Sequence, residues 1–121
     1  RMVFNVIARN QDDHTKNFSF LMDESGEWSL APAYDVAYSY RPDSFWVAQH
    51  NLSLNGKRSE FTTADLLAVA RQIGNFPERA AQDVIEECTE AVSQWPQLAR
   101  NNDVPSALID EVSSNLRLDL A

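Results

Sequence analysis

Three side chains near the start of the chain are of the types that phosphate chemistry needs. They lie in a polar loop and just beyond a predicted hairpin: Asp12, Asn17 and Asp35. An Asn carbonyl and an Asp carboxylate are hard oxygen ligands of the kind that Mg²⁺ prefers. A separate carboxylate can accept the proton of an attacking hydroxyl. Asp12 and Asn17 are five positions apart, so one short loop can bring them together, and the set indicates a site for phosphoryl transfer.

A predicted β-hairpin explains how Asp35 comes near Asn17. Two short apolar runs flank a loop that contains Gly, which is typical of a hairpin with a longer loop. The predicted strands are residues 18–22 and 28–30. If the hairpin turns near Ser25, Phe18 pairs roughly with Pro32. Asp35 then lies a couple of residues beyond the position opposite Asn17.

The first residues of the chain predict a mostly buried helix over 2–9. Val3, Val6, Ile7 and Asn10 fall on one helical face. So short an apolar run is also compatible with a strand. Residues 37–60 predict irregular structure with one small hairpin, because Asn55-Gly56 is a frequent two-residue turn.

The second half of the chain predicts three helices. Thr62 or Thr63 caps the first, and Gly74 closes it. Pro77 opens the second, whose apolar positions follow the helical period up to Trp95, where Pro96 bends or ends it. Pro105 opens the last. We expect the three tryptophans to serve packing rather than ligand stacking; they are Trp28, Trp46 and Trp95.

Composition bounds the function classes. The 121 residues carry a net charge of -8, and an acidic surface repels phosphate backbones, so we expect no direct nucleic-acid binding. No apolar run is long enough to span a membrane. The single cysteine, Cys88, cannot form an internal disulfide, which fits a cytoplasmic protein. One Cys and two His also make a zinc site improbable.

The amino-acid sequences of three segments resemble those of the HipA family of Ser/Thr protein kinases. The segments are residues 10–19, 31–36 and 52–57. The resemblance covers essentially the whole chain, and it implies a fold related to eukaryotic protein kinases and lipid kinases. The family includes bacterial toxins paired with a helix-turn-helix antitoxin, so such an antitoxin and a protein substrate are the implied partners. In protein kinases the base Asp and the metal-binding Asn are also five positions apart, and a second metal-binding Asp follows.

The resemblance implies a role for each residue of the loop. Asp12 matches the catalytic base, and Asn17 and Asp35 match the magnesium ligands. Asp13 stands where many relatives have a small residue such as Gly, which leaves the base open between Asp12 and Asp13. The five-residue spacing favours Asp12.

The stretch from His14 to Asn17 falls where the family contacts ATP phosphates. His14 and Lys16 are therefore candidate nucleotide contacts, alongside Asn17 and Asp35. Each has a simpler interpretation: His14 as a charged hydrogen-bond partner of the neighbouring acids, and Lys16 as an ordinary surface lysine.

The sequence shows neither a Gly-rich phosphate-binding loop nor a lysine placed to bind ATP. The three glycines are far apart, and neither lysine lies in a strand before the loop. We therefore expect a single domain over residues 1–121, mostly α with a small β-hairpin element. It would form part of the C-terminal lobe of a kinase-like fold whose N-terminal lobe lies elsewhere. Such a chain would be inactive alone; the alternative is a catalytically silent partner-binding module or a truncated remnant.

Overall fold

The computed structural model describes all residues from 1 to 121 and combines five α-helices with one two-stranded antiparallel sheet. In chain order the elements are α1 (Met2–Ile7), β1 (Phe20–Met22), β2 (Trp28–Leu30), α2 (Thr63–Ala70), α3 (Glu78–Ser93), α4 (Trp95–Asn101) and α5 (Ser106–Asn115). A short 3₁₀ turn, Thr15–Asn17, precedes β1. The expected fold class, mostly α with a small hairpin, is confirmed.

The hairpin has the expected register. Phe20 pairs with Leu30, and Met22 pairs with Trp28. The Ala31 amide donates to the Ser19 carbonyl at 2.9 Å, which extends the ladder towards the polar loop. Continuing this register by one residue places Phe18 opposite Pro32, as the sequence predicts.

Helix α1 lies at the centre of the core. The residues predicted to share its inward face are all buried: Val3, Val6, Ile7 and Asn10. The core cluster is completed by Leu54, Phe61, Leu66 and Val92. The helical prediction for the first residues is therefore confirmed over a strand, because a core-facing stripe at helical spacing can be buried against α3 only by a helix.

Helix α2 begins as predicted and ends earlier than predicted. Thr62 is its N-cap, and Asp65 closes a capping box by accepting the Thr62 backbone N–H at 2.8 Å. The helix ends at Ala70. The prediction that Gly74 closes it is wrong, since the left-handed residue between α2 and α3 is Asn75, with φ of 58°.

Prolines mark where the remaining three helices begin. Pro77 and Pro105 are the N-caps of α3 and α5. Pro96 does more than bend a helix: α3 ends at Ser93, and Pro96 lies in the first turn of α4, where its missing N–H leaves no hydrogen bond unmade.

The hairpin is exposed on both faces. Every residue of β1 and β2 is exposed, and Trp28 retains 64% of its accessible surface. Trp46 retains 72%, so the expectation that these two tryptophans are packing residues is wrong. Among the helices, none has the length and apolar character that crossing a bilayer requires.

Candidate functional site

The polar loop is held by the 3₁₀ turn that follows it. The Asn17 side-chain amide donates to the backbone carbonyl of Asp12 at 3.1 Å. The Asn17 backbone N–H donates to the His14 carbonyl at 3.0 Å. These bonds bring Asn17 back beside Asp12, and because the amide nitrogen is the donor, the carbonyl oxygen of the Asn17 side chain is left without a hydrogen bond.

Asp35 is brought to the same region by the end of the hairpin. The Tyr34 hydroxyl donates to the backbone carbonyl of Lys16 at 2.9 Å, which ties the segment after β2 to the residue preceding Asn17. Asp35 itself adopts a left-handed conformation with φ of 51°, which Asp tolerates better than most residues. Its side chain is exposed and accepts no hydrogen bond.

The two adjacent aspartates of the loop differ sharply in environment. The Asp12 side chain is about half-exposed, at 46%, and His14 Nε2 lies 3.8 Å from its carboxylate. Asp13 is buried and accepts three hydrogen bonds, from His50 Nδ1 at 2.9 Å and from the Asn51 and Leu52 backbone amides at 2.8 and 3.2 Å. One carboxylate is therefore open to solvent, and the other is fully engaged inside the protein.

The environment of Asp13 lowers the pKa of its carboxyl group. Burial alone would raise that pKa, but the hydrogen bond from His50 and the two backbone amides stabilise the charged form and prevail. Asp13 is thus ionised at neutral pH.

The two candidate phosphate contacts follow the two aspartates in the same loop. Lys16 is exposed, and its ammonium makes no hydrogen bond or ion pair. His14 is partly buried, and its Nδ1 is shielded from solvent without a hydrogen-bond partner.

Gln11, immediately before the two aspartates, is fully buried and joins four parts of the chain. Its side-chain amide donates to the Val47 carbonyl at 2.9 Å. Its side-chain oxygen accepts from Arg9 and from Arg117, both at 3.2 Å. The Asn51 side chain donates to its backbone carbonyl at 2.9 Å. The loop therefore rests on a layer of satisfied buried polar groups, which favours a single conformation.

The segment 52–57 closes this layer against α2. Asn55 and Gly56 both have positive φ, and Leu54 and Lys57 exchange two backbone hydrogen bonds across them, so the predicted small hairpin is present. Lys57 and Asn55 then donate to the buried Asp65 carboxylate at 2.9 and 2.8 Å. The Lys57 contact, followed by that of Asn55, holds the pKa of Asp65 well below its ordinary value.

Asn17 and Asp35 are the residues of this region that could hold a magnesium ion only partly bound by protein. Asn17 and Asp35 offer two hard oxygens with no competing hydrogen bond. Mg²⁺ in phosphate-transfer sites takes one or two carboxylates and fills its other positions with water and phosphate oxygens. No group of three or more His, Cys, Asp or Glu side chains forms a closed metal cage, which a site of this kind does not require.

Sequence reasoning did not identify the residues that support the loop. They are Gln11, His50, Asn51 and Arg117. Asp13 stood out only as a rival base. No local pattern marks the others, because most of their partners lie between 36 and 111 positions away along the chain.

Comparison with known proteins identifies the family. A search of curated proteins and a search of solved structures each returned no significant match. The family model described as "HipA-like C-terminal domain" matches residues 1–95, which include the polar loop, the hairpin, Asp35 and the 52–57 segment. With more than three quarters of its residues inside that match, this chain belongs to the HipA-like C-terminal domain family.

Proposed function

We propose that the chain supplies the metal-binding and proton-accepting half of a Ser/Thr protein kinase site, within the C-terminal lobe of a kinase-like fold. The reaction is transfer of the ATP γ-phosphate to a protein hydroxyl. The observation that carries the proposal is the hydrogen bond from Tyr34 to the Lys16 carbonyl. Together with the hairpin register, it ties the segment that carries Asp35 to the loop that carries Asp12 and Asn17.

Each loop residue has a role in this proposal. Asp12 orients the substrate hydroxyl and accepts its proton, a contribution of about a hundred- to ten-thousand-fold for general-base catalysis. Asn17 and Asp35 hold Mg²⁺, which when bound neutralises charge on the ATP phosphates. His14 and Lys16 contact those phosphates.

The difference between the two aspartates supports Asp12 as the base. A general base must reach the proton that it accepts. The Asp13 carboxylate already accepts three hydrogen bonds inside the protein, whereas the Asp12 carboxylate accepts none and is half-exposed. This agrees with the five-residue spacing to Asn17.

The groups that grip ATP would come from an N-terminal kinase lobe, on the same polypeptide or on a partner. We therefore expect no significant ATP turnover by residues 1–121 alone. Turnover by the purified chain that disappears in Asp12→Ala would contradict this.

Magnesium binding tests the proposed site directly. We expect weak binding in a titration of the wild-type chain followed by amide chemical shifts, and a loss of affinity in Asp35→Asn, which removes the ligand charge. Asp43→Asn is the matched control, since Asp43 is also an exposed carboxylate in a loop. Equal magnesium affinity in wild type and Asp35→Asn would remove the metal role of Asp35.

A second candidate function is partner binding without catalysis, favoured by the exposed hairpin. Its apolar side chains are each more than half-exposed: Phe20, Leu21, Met22, Trp28 and Leu30. The cross-strand pairing places four of them, all except Leu21, on one face of the hairpin. Exposed apolar patches of this kind mark interaction sites in folded proteins. The partner would be the other kinase lobe or a helix-turn-helix antitoxin. A blue shift of tryptophan emission on mixing, absent in Trp28→Ser, would support this candidate; with Asp35→Asn unchanged in magnesium affinity, it would replace the kinase proposal.

A further inference from the structure

Arg117 connects the C-terminal end of the chain to the polar loop. It follows α5 and lies outside residues 1–95, the part that matches the family. One of its terminal nitrogens, Nη1, lies 3.1 Å from His50 Nε2 and donates to the Val6 carbonyl at 2.9 Å. The other, Nη2, donates to the Gln11 side chain at 3.2 Å.

A donor on one side of His50 and an acceptor on the other leave one state for its ring. Arg117 has no acceptor atom, so Nε2 must be the acceptor in that contact. Nδ1 lies 2.9 Å from the ionised Asp13 carboxylate and must therefore carry the proton. His50 is a neutral imidazole, protonated at Nδ1 and oriented from both sides.

The resulting chain of three side chains compensates the charge of buried Asp13 and that of half-buried Arg117. Asp13 is negative and Arg117 is positive, and neutral His50 bridges them by hydrogen bonds at both ring nitrogens. Burial is the main cause that lowers the pKa of Arg117, to about 10. Because this pKa is still well above 7, the guanidinium is charged at neutral pH. Compensation of this kind offsets the desolvation that makes an isolated buried charge unfavourable.

The same end of the chain has a second attachment to the loop. Arg9 Nε donates to the Asn115 carbonyl at the C-terminal end of α5, at 2.7 Å. Arg9 also has positive φ, at 57°, directly before the loop. The last turn of α5 and the residues after it are thus bound at two points to the segment that carries Asp12.

We propose that Arg117 is a positioning residue, which orients the His50 ring so that His50 and the Asn51–Leu52 amides hold Asp13, and thereby fixes the backbone that presents Asp12. The orientation of His50 and Asp13 by Arg117 concerns the chain without ATP or metal. Its consequence for catalysis rests on the proposed kinase function. Residues 96–121 then contribute to the site although they lie outside the family match.

The test uses the 121-residue chain. Arg117→Met removes the donor nitrogens of the side chain, and Arg117→Lys retains one donor nitrogen and the positive charge. Arg100→Met is the matched control, because Arg100 is an exposed arginine whose guanidinium makes a hydrogen bond only with Gln97. Nitrogen-15 NMR reports which ring nitrogen of His50 is protonated. Hydrogen exchange reports how firmly Asp13 holds the Asn51 and Leu52 amides, with the interior of α3 as the reference for global opening.

We expect wild-type His50 to have a proton on Nδ1 and none on Nε2. In Arg117→Met, exchange of the Asn51 and Leu52 amides should rise by about tenfold or more relative to α3, the scale for losing a hydrogen bond to a charged group. Arg117→Lys should recover part of that change, and Arg100→Met should show none. A proton on Nε2 in the wild type, or loop and α3 amides that accelerate equally, would overturn the proposal. If Arg117→Met does not fold, Arg117→Lys is compared with wild type instead. Faster exchange of the Asn51 and Leu52 amides in Arg117→Lys would then support the proposal. Unchanged exchange of these amides, with His50 of Arg117→Lys protonated at Nε2, would overturn it.

These measurements need neither ATP nor metal, so they can fail while the kinase proposal stands. Conversely, unchanged magnesium affinity in Asp35→Asn would remove the proposed metal site and leave the positioning of the loop by Arg117 intact.

Discussion

Replacing Asp13 by Asn should destabilise the protein through a conflict between hydrogen-bond donors. The Asn carbonyl oxygen can still accept from the Asn51 and Leu52 amides. Its NH₂ group then faces the protonated Nδ1 of His50, so two donors meet where a carboxylate accepted at 2.9 Å. If His50 moved its proton to Nε2, that proton would face Arg117, which is also a donor. Neither arrangement satisfies both ends of the ring.

The magnitude follows from the bonds that are lost. One hydrogen bond to a charged group contributes about 1.5–3 kcal/mol, and a buried donor left unsatisfied costs about 1–3 kcal/mol. Because the two terms overlap, we expect Asp13→Asn to lower the free energy of unfolding by about 3 kcal/mol. For a chain of this size, that corresponds to a fall in Tm of roughly 10–15 °C.

Urea denaturation at pH 7 measures this change, and Asp12→Asn is the control in the adjacent residue. The Asp12 carboxylate is half-exposed and accepts no hydrogen bond, so its replacement should change stability by no more than about 0.5 kcal/mol. Similar losses in the two variants, or a loss below about 1 kcal/mol in Asp13→Asn, would refute the assignment of Asp13 as the buried anchor.

The stability difference between wild type and Asp13→Asn should depend on pH. The pKa of Asp13 is lower in the folded protein than in the unfolded chain, so its stabilising effect is complete above the unfolded pKa, near 4. It is lost as the pH falls through the folded pKa. The stability difference between wild type and Asp13→Asn should therefore shrink below about pH 4, and a constant difference between pH 7 and pH 3 would argue against an ionised Asp13.

Three further substitutions test the fold. Ile7→Ala, at the fully buried centre of α1, should lower the free energy of unfolding by about 2–5 kcal/mol in urea denaturation, because it leaves a cavity. Thr62→Ala removes the cap of α2 and should lower it by about 1 kcal/mol, with fraying of residues 63–65 in hydrogen exchange. Trp28→Ser, on the exposed hairpin, should change stability by no more than about 0.5 kcal/mol and weaken binding of an apolar dye; a large loss of stability would mean that Trp28 is packed.

Local sequence patterns were sufficient to predict the elements that carry the candidate site. The hairpin register follows from two short apolar runs and a Gly-containing loop, and it places Phe18 opposite Pro32 as the structure has it. The buried face of α1 follows from spacing alone. Gly74 was misassigned because Asn75 adopts the left-handed conformation that glycine usually supplies.

The support beneath the loop could not be predicted in this way. Asp13, His50 and Arg117 meet only when segments 37 and 67 positions apart are brought together. Hydrogen bonds between such distant side chains leave no periodic trace in the sequence. Exposure of Trp28 and Trp46 was missed for a related reason: aromatic residues are usually packed, and only the fold shows which surfaces nothing covers.

The most direct measurement of the proposed phosphotransfer site is to locate a divalent ion on the chain. Mn²⁺ can replace Mg²⁺ at oxygen ligands and broadens the NMR signals of nearby amides. We expect substoichiometric Mn²⁺ to broaden the amides of residues 12–17 and 34–36 before any others, and Asp35→Asn, but not Asp43→Asn, to abolish this selectivity. Broadening spread over the acidic surface, or selective broadening that persists in Asp35→Asn, would contradict a metal site shared by Asn17 and Asp35.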